Sequence, residues 1–138
     1  MEDCIFCKIV AGEISSYKVY EDAKVLAFFD ILPISPGHAV VAPRRHAVDM
    51  ENLTDNELCA MVVVMKKIGK AMMEGLGVKG YSIFLDNKDA ANQHVPHVHF
   101  HVVPRKEGDG LGRWPQGGYA EGEAEEALKK ITERLIVI

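Results

Sequence analysis

The chain has 138 residues, of which 48% are hydrophobic, and a net charge of −4. That length predicts one domain, 1–138, with a substantial core. The acidic balance argues against a nucleic-acid polymer as partner, because phosphate backbones select basic surfaces. No apolar run approaches the ~20 residues that span a bilayer. The acidic start Met1-Glu2-Asp3-Cys4 lacks the basic and apolar regions of a signal peptide, so a cytoplasmic protein is expected and a structural disulfide is not.

In chain order, Cys4 to Val10 reads as a short helix ended by Gly12. Tyr17–Tyr20 and Val25–Asp30 read as strands joined by a polar turn at Glu21-Asp22-Ala23-Lys24. Pro33 to Gly37 is a rigid loop, and His38–Ala42 a third strand closed by Pro43. Thr54-Asp55-Asn56-Glu57 has the capping-box spacing that opens a helix. Leu58, Met61, Val62, Met65, Ile68, Met72 and Leu76 then recur at three- and four-residue steps, an amphipathic helix stopped by Gly75 and Gly77. Its Cys59 reads as a buried small residue. Tyr81–Leu85 is a fourth strand, and Asp86–Gln93 a polar loop. Arg105–Gly118 reads as loop and Glu121–Leu135 as a C-terminal helix, with Ala124, Leu128, Ile131 and Leu135 on one side. Five strands and two sizeable helices predict an α+β fold with a mostly antiparallel sheet.

The fifth strand carries the chemistry. His97, His99 and His101 fall at i, i+2 and i+4, a spacing that puts three imidazoles on one face of a strand. Val98, Phe100 and Val102 alternate with them toward a core, and Pro96 and Pro104 bracket the segment. Adjacent imidazoles suit either a metal or a phosphate: a neutral nitrogen is a nucleophile, and its neighbours can donate to phosphoryl oxygens. Near the N-terminus, Cys4-x-x-Cys7 has chelate spacing. It is open to a redox pair, an unmetallated structural pair, or zinc; zinc needs two further ligands, for which His46 and one member of the histidine row are candidates.

The segment His97-Val-His-Phe-His-Val-Val103 resembles the signature of the histidine triad (HIT) superfamily. Cys4-Ile-Phe-Cys-Lys-Ile9, Leu26 to Ile31, Pro36-Gly-His38 and Pro43-Arg-Arg-His46 resemble its Hint-like branch in the same order, covering most of residues 4–104. Residues 105–138 lie outside the likeness. The resemblance implies a homodimeric hydrolase or transferase acting at the α-phosphate of a purine nucleotide through a covalent nucleotidyl-His99. Phosphoramidates or adenylates are the expected substrates and dinucleoside polyphosphates the alternative; a further alternative is a nucleotide-binding sensor with little turnover. A metalloenzyme using the histidine row is a third reading.

The resemblance also assigns roles. His101 and His38 match phosphate contacts, and the backbone and side chain of Gln93 match groups that help hold the transferring phosphoryl group. Asp30 matches the ribose-binding carboxylate, and Ile5, Phe6, Ile9, Phe28 and Ile31 match the walls of the purine pocket. Cys4, Cys7, His46 and His97 match the ligands of a structural zinc. The chain departs from the pattern at three positions. His94 replaces a serine or threonine that assists the leaving group, and is expected to keep that role. Asn92 replaces a glycine, and Asp86 an asparagine near the sugar, with Asn87 beside it. Arg44 and Arg45 are expected in solvent rather than on phosphate. Trp114-Pro115 resembles a C-terminal element that, in some relatives, reaches the partner subunit's site.

Overall fold

In this computed structural model, which describes residues 3–135, the sheet grows from a hairpin locked by one side chain. Asp22 accepts hydrogen bonds from the amides of Lys24 and Val25 (2.8 Å each) and turns β1 (Lys18–Glu21) into β2 (Val25–Phe29). Three more strands complete the sheet: β3 (Ala39–Pro43), β4 (Gly80–Leu85) and β5 (Phe100–Arg105). The order is β1-β2-β3-β5-β4, and every neighbouring pair is antiparallel. The predicted α+β class with a five-stranded sheet is what the chain adopts. Residues 1–2 and 136–138 of the expected domain lie outside the described residues.

Strand alternation divides the side chains between two cores. Val25, Ala27, Ala39, Val41, Phe100 and Val102 face the long helix α2 (Asp55–Leu76). Leu26, Phe28, Val40 and Ala42 face the opposite way, onto Cys4 and Phe6 at the start of α1 (Ile5–Val10). The capping box is present, with Thr54 and Glu57 each bonding the other's amide, and Gly77 ends α2 in a left-handed conformation. Met61, Met65, Ile68 and Met72 are buried as expected; Val64 joins them, and Gly69 lets the Tyr81 ring close on the helix.

Four expectations are corrected. Val62 and Leu76 are half-exposed, because Val62 sits at the margin of the buried stripe and Leu76 at its end. Cys59 is exposed. The histidine strand begins only at Phe100: His97 to Val98 bonds elsewhere, His97 N–H to Val95 O (2.8 Å) and Val98 N–H to Ala47 O (2.8 Å). The C-terminal helix α3 is shorter than predicted, Glu123–Thr132, and its Leu128 and Ile131, with Leu135 beyond it, are exposed. No helix among the described residues is long and apolar enough to cross a membrane.

Candidate functional site

Two sites meet at the N-terminal end of β5. In the first, Cys4 caps α1 and its sulfur accepts from the Cys7 amide (3.4 Å). The Sγ of Cys4 lies 3.4 Å from His97 Nδ1, and that of Cys7 lies 3.5 Å from His97 Nδ1 and 3.2 Å from His46 Nδ1. All four donor atoms fall within 4.8 Å of one another. Zinc–sulfur and zinc–nitrogen bonds of ~2.3 and ~2.0 Å set a tetrahedral S···N edge of about 3.5 Å, so these spacings fit one ion.

The protonation of the donors fits as well. His97 is fully buried, and its Nε2 lies 2.8 Å from the carbonyl of Pro43. A carbonyl only accepts, so Nε2 carries the proton and Nδ1 presents its lone pair to the sulfurs. Burial holds the ring neutral, with its pKa below the ordinary value. Burial first, and then the Cys4 sulfur, pushes the Cys7 thiol up, which is the opposition a cation between two sulfurs would remove. The cluster can therefore hold a metal ion of the thiolate–imidazole kind.

The second site is a cavity of ≈ 510 Å³ beside the first. His99, 9% exposed, lines it. The His99 Nδ1–H donates to the carbonyl of its neighbour His97 (2.8 Å), so Nε2 is the unprotonated nitrogen. Burial lowers the pKa of the ring and keeps it neutral. The Phe6 ring stands edge-on to it at 4.9 Å, and the His101 ring lies at the same distance. His101 stacks on Phe84, with centroids 4.5 Å apart.

His101 takes its tautomer from two bonds upstream. The amide of Ile34 donates to His38 Nδ1 (3.0 Å), so His38 carries its proton on Nε2. That proton points at His101 Nδ1, 2.9 Å away. His101 then bears its own proton on Nε2. Burial, and then His99, lowers its pKa to about 4, so the ring is neutral near pH 7. Asp30, His38 and His101 also lie close enough together to suggest a second metal site. The chemistry opposes it, because His38 has no lone pair on the nitrogen facing His101 while Ile34 occupies Nδ1.

The other predicted residues fall around the same space. Ile5, Phe6, Ile9, Phe28 and Ile31 form apolar walls, and Asp30, Asp86, Asn92, Gln93 and His94 line the rest. His38 sits behind His101 and is not in the lining. Asn92 has φ 67° and ψ 38°, the left-handed region, so the position ordinarily held by glycine is filled by the side chain that tolerates it best. The Gln93 side chain is fully committed: Nε2 donates to Val48 O (2.6 Å) and Val95 O (3.0 Å), and Oε1 accepts from Lys88 N (2.8 Å). It braces the loop and has no amide proton left for a phosphoryl group. Asn87 Oδ1 accepts from the Met50 amide (2.9 Å), and Asp86, not Asn87, lines the cavity.

Sequence reading missed Ile14, Ser15 and Ser16, which follow α1 and line the same cavity. A short polar link after a helix carries no signal of its own. Arg44 and Arg45 do not line it; Arg44 pairs with Glu21 (2.8 Å), and Arg45 grips Glu57 with two nitrogens (2.7 and 2.9 Å). Trp114 is exposed and lines a different cavity, with Ile83, Phe84 and Arg105.

Residues 11–108 match the family model described as the HIT domain. The adenosine 5′-monophosphoramidase of Candida albicans is 40% identical over 141 residues, covering 96% of this chain and 88% of that protein. A HIT family protein from Bacillus subtilis has a similar solved structure, with a TM-score of 0.88 at 35% identity, covering 99% of both chains. A Zn-bound histidine triad family protein from Mycobacterium smegmatis superposes with a TM-score of 0.78 at 34% identity, covering 96% of this chain and 97% of that one.

Proposed function

Because the chain belongs to the HIT family, whose model spans residues 11–108, we propose that it hydrolyses adenosine 5′-monophosphoramidates or related adenylates at the α-phosphorus. The observation that carries this reading is the pair of fixed tautomers in the cavity: an unprotonated Nε2 on His99 beside a protonated Nε2 on His101. One nitrogen can attack while the other donates to the phosphoryl oxygens.

The purine rests between Phe6, Phe28 and the isoleucines, and the Asp30 carboxylate accepts from the ribose. The His99 Nε2 lone pair forms a bond to phosphorus as the phosphorus–nitrogen bond breaks. The leaving amine keeps that electron pair and takes a proton, which His94, in the cavity lining, donates. Water then attacks the phosphorus and passes a proton back to His94, while the phosphorus–Nε2 bond breaks with its electron pair on the ring; the nucleoside monophosphate leaves and His99 is again neutral. His38 acts here through His101, fixing which of its nitrogens bears the proton, rather than by touching phosphate.

Charge separates the substrate classes. Among the described residues no lysine or arginine lines the cavity, whereas Asp30 and Asp86 do. A single α-phosphate with an uncharged or cationic leaving group suits that field; a polyphosphate bridge, with several negative charges, is repelled by it. Structural zinc at Cys4, Cys7, His46 and His97 is part of the proposal, supported by the donor geometry and the Zn-bound relative. With four protein donors such an ion would offer no open position to substrate, and Cys4, Cys7, His46 and His97 would through it tie α1, with its half of the base pocket, to the segment that carries the nucleophile. Reduced thiols at that site suit the cytoplasm. A homodimer is also proposed; its support is the half-exposed Val62 and Val63 on α2 and the open edge of β4 at Ile83.

The test is a substrate panel. Adenosine 5′-phosphoramidate should be cleaved with a kcat/KM at least about tenfold above that for diadenosine polyphosphates, a margin of ~1.4 kcal/mol. Preference for the polyphosphates, or binding of nucleotide with no turnover of either, contradicts the proposal.

A further inference from the structure

The loop that precedes the triad is tied by a lysine held in a glycine's conformation. Lys88 has φ 75° and ψ 163°. That region is essentially restricted to glycine, and a side chain placed there persists only when its surroundings over-determine it. The surroundings do so on three sides. Its ammonium pairs with the Asp49 carboxylate and lies 2.7 Å from Glu51 Oε2. Asp49 is only 5% exposed, and its other oxygen accepts from Asn52 Nδ2 (2.6 Å). The Lys88 amide donates to Gln93 Oε1 (2.8 Å), and its carbonyl accepts from the amides of Ala91 and Gln93 (3.1 Å each).

The same backing segment serves everything nearby. Gln93 bonds Val48 O, Asn87 bonds Met50 N, and Lys88 pairs with Asp49 and Glu51. A few residues upstream, Ala47 O accepts from the Val98 amide, and His46 closes the metal cluster. Residues 46–51 are thus the frame against which both the loop and the triad are fixed. An exposed ion pair ordinarily contributes little. This one differs because its carboxylate is buried and its lysine sits where backbone strain needs restraint. The Lys88 ammonium first, and then the Asn52 hydrogen bonds, hold the Asp49 carboxyl below its ordinary range against the opposing effect of burial.

We propose that Lys88 is a positioning residue of this site: its ion pair with Asp49 and Glu51 holds the strained turn that sets Asn92, Gln93 and His94 against the cavity. The proposal rests on the catalytic reading above for its kinetic consequences, and on the loop's geometry alone for its structural ones. Glycine separates the two parts, since it takes the backbone conformation without strain and has no side chain to clamp.

Lys88→Met, Lys88→Gly and Lys88→Arg are compared with the parent by urea unfolding, by kinetics on adenosine 5′-phosphoramidate and by amide hydrogen exchange of residues 88–94. Lys88→Met should lower kcat about tenfold through misplacement of the loop, with KM for the nucleotide within about twofold. Exchange across 88–94 should accelerate, and Lys88→Arg should restore most of both. Lys88→Gly should be at least as stable as Lys88→Met and still turn over slowly with a fast-exchanging loop. Parental kcat and parental exchange in Lys88→Gly overturn the proposal, as does a loss of kcat that merely follows stability across the three variants. If the parent does not cleave the phosphoramidate, the functional reading falls and the exchange arm still decides: unchanged exchange in Lys88→Met overturns the clamp.

Discussion

His97 and His101 sit at the two ends of one short motif and have opposite chemistry. His97 donates a hydrogen bond from Nε2–H to Pro43 O and turns a bare Nδ1 toward two sulfurs. His101 accepts a hydrogen bond at Nδ1 from His38 Nε2–H and keeps its own proton on Nε2, on a ring that lines the cavity. Neither difference is a property of histidine. Each is imposed by one partner on the far side of the ring, a carbonyl in one case and a second imidazole in the other. The second partner of a histidine thus decides whether it serves as ligand, nucleophile or donor.

The contrast is broken most severely at the metal end. Cys4→Ser should abolish near-stoichiometric zinc in the purified protein and lower stability by roughly 3 kcal/mol, or about 10 °C in Tm. Metal analysis and a thermal melt check both; full zinc content with an unchanged melt would remove the metal from the account. At the cavity end, His38→Leu leaves His101 without its donor and the Ile34 amide without its acceptor. We expect kcat to fall roughly 10- to 100-fold, the usual cost of losing an orienting partner. His38→Gln can accept from Ile34 and donate to His101 at once, and should recover much of the loss. Equal activities for the two variants would mean that His38 does not set the His101 tautomer.

The smallest effect is on stability against pH. The folded His101 ring has a pKa lowered to about 4 by burial, against an ordinary ~6.5. Between those values the unfolded chain binds a proton that the folded ring refuses. Its contribution is therefore complete above about pH 6.5 and declines as pH falls toward 4. Urea unfolding at several pH values across that window should give a shallower decline for His101→Gln than for the parent. Identical slopes would show that the ring is not kept neutral by its surroundings.

Much of this was legible in the sequence, for identifiable reasons. Val25–Phe29 and Ala39–Pro43 were legible as strands nearly to their ends, because runs of β-branched and aromatic residues are a local signal; the division of their side chains between two cores emerged only in the fold. The Thr54–Glu57 spacing foretold the start of α2 for the same local reason. The shared face of the three histidines was read correctly in part: they gather at one place, but His97 to His99 lie outside the strand, where the Val98 amide bonds Ala47 O and the His97 side chain bonds Pro43 O instead of the backbone ladder continuing. That is a long-range preference and leaves no periodic trace. Gln93 was expected on phosphate and instead braces its own loop, and Lys88 reads as any solvated lysine until its φ is known. The apolar stripe on α3 was visible, and Leu128, Ile131 and Leu135 along it are exposed.

The central claim is that His99 Nε2 carries the nucleotidyl group. Intact mass of the protein, acid-quenched within the first turnovers on adenosine 5′-phosphoramidate, tests it directly. The account predicts an added adenylyl mass on the parent, none on His99→Ala, and loss of turnover in that variant. Turnover by the parent without the adduct, or an adduct that survives in His99→Ala, would contradict it.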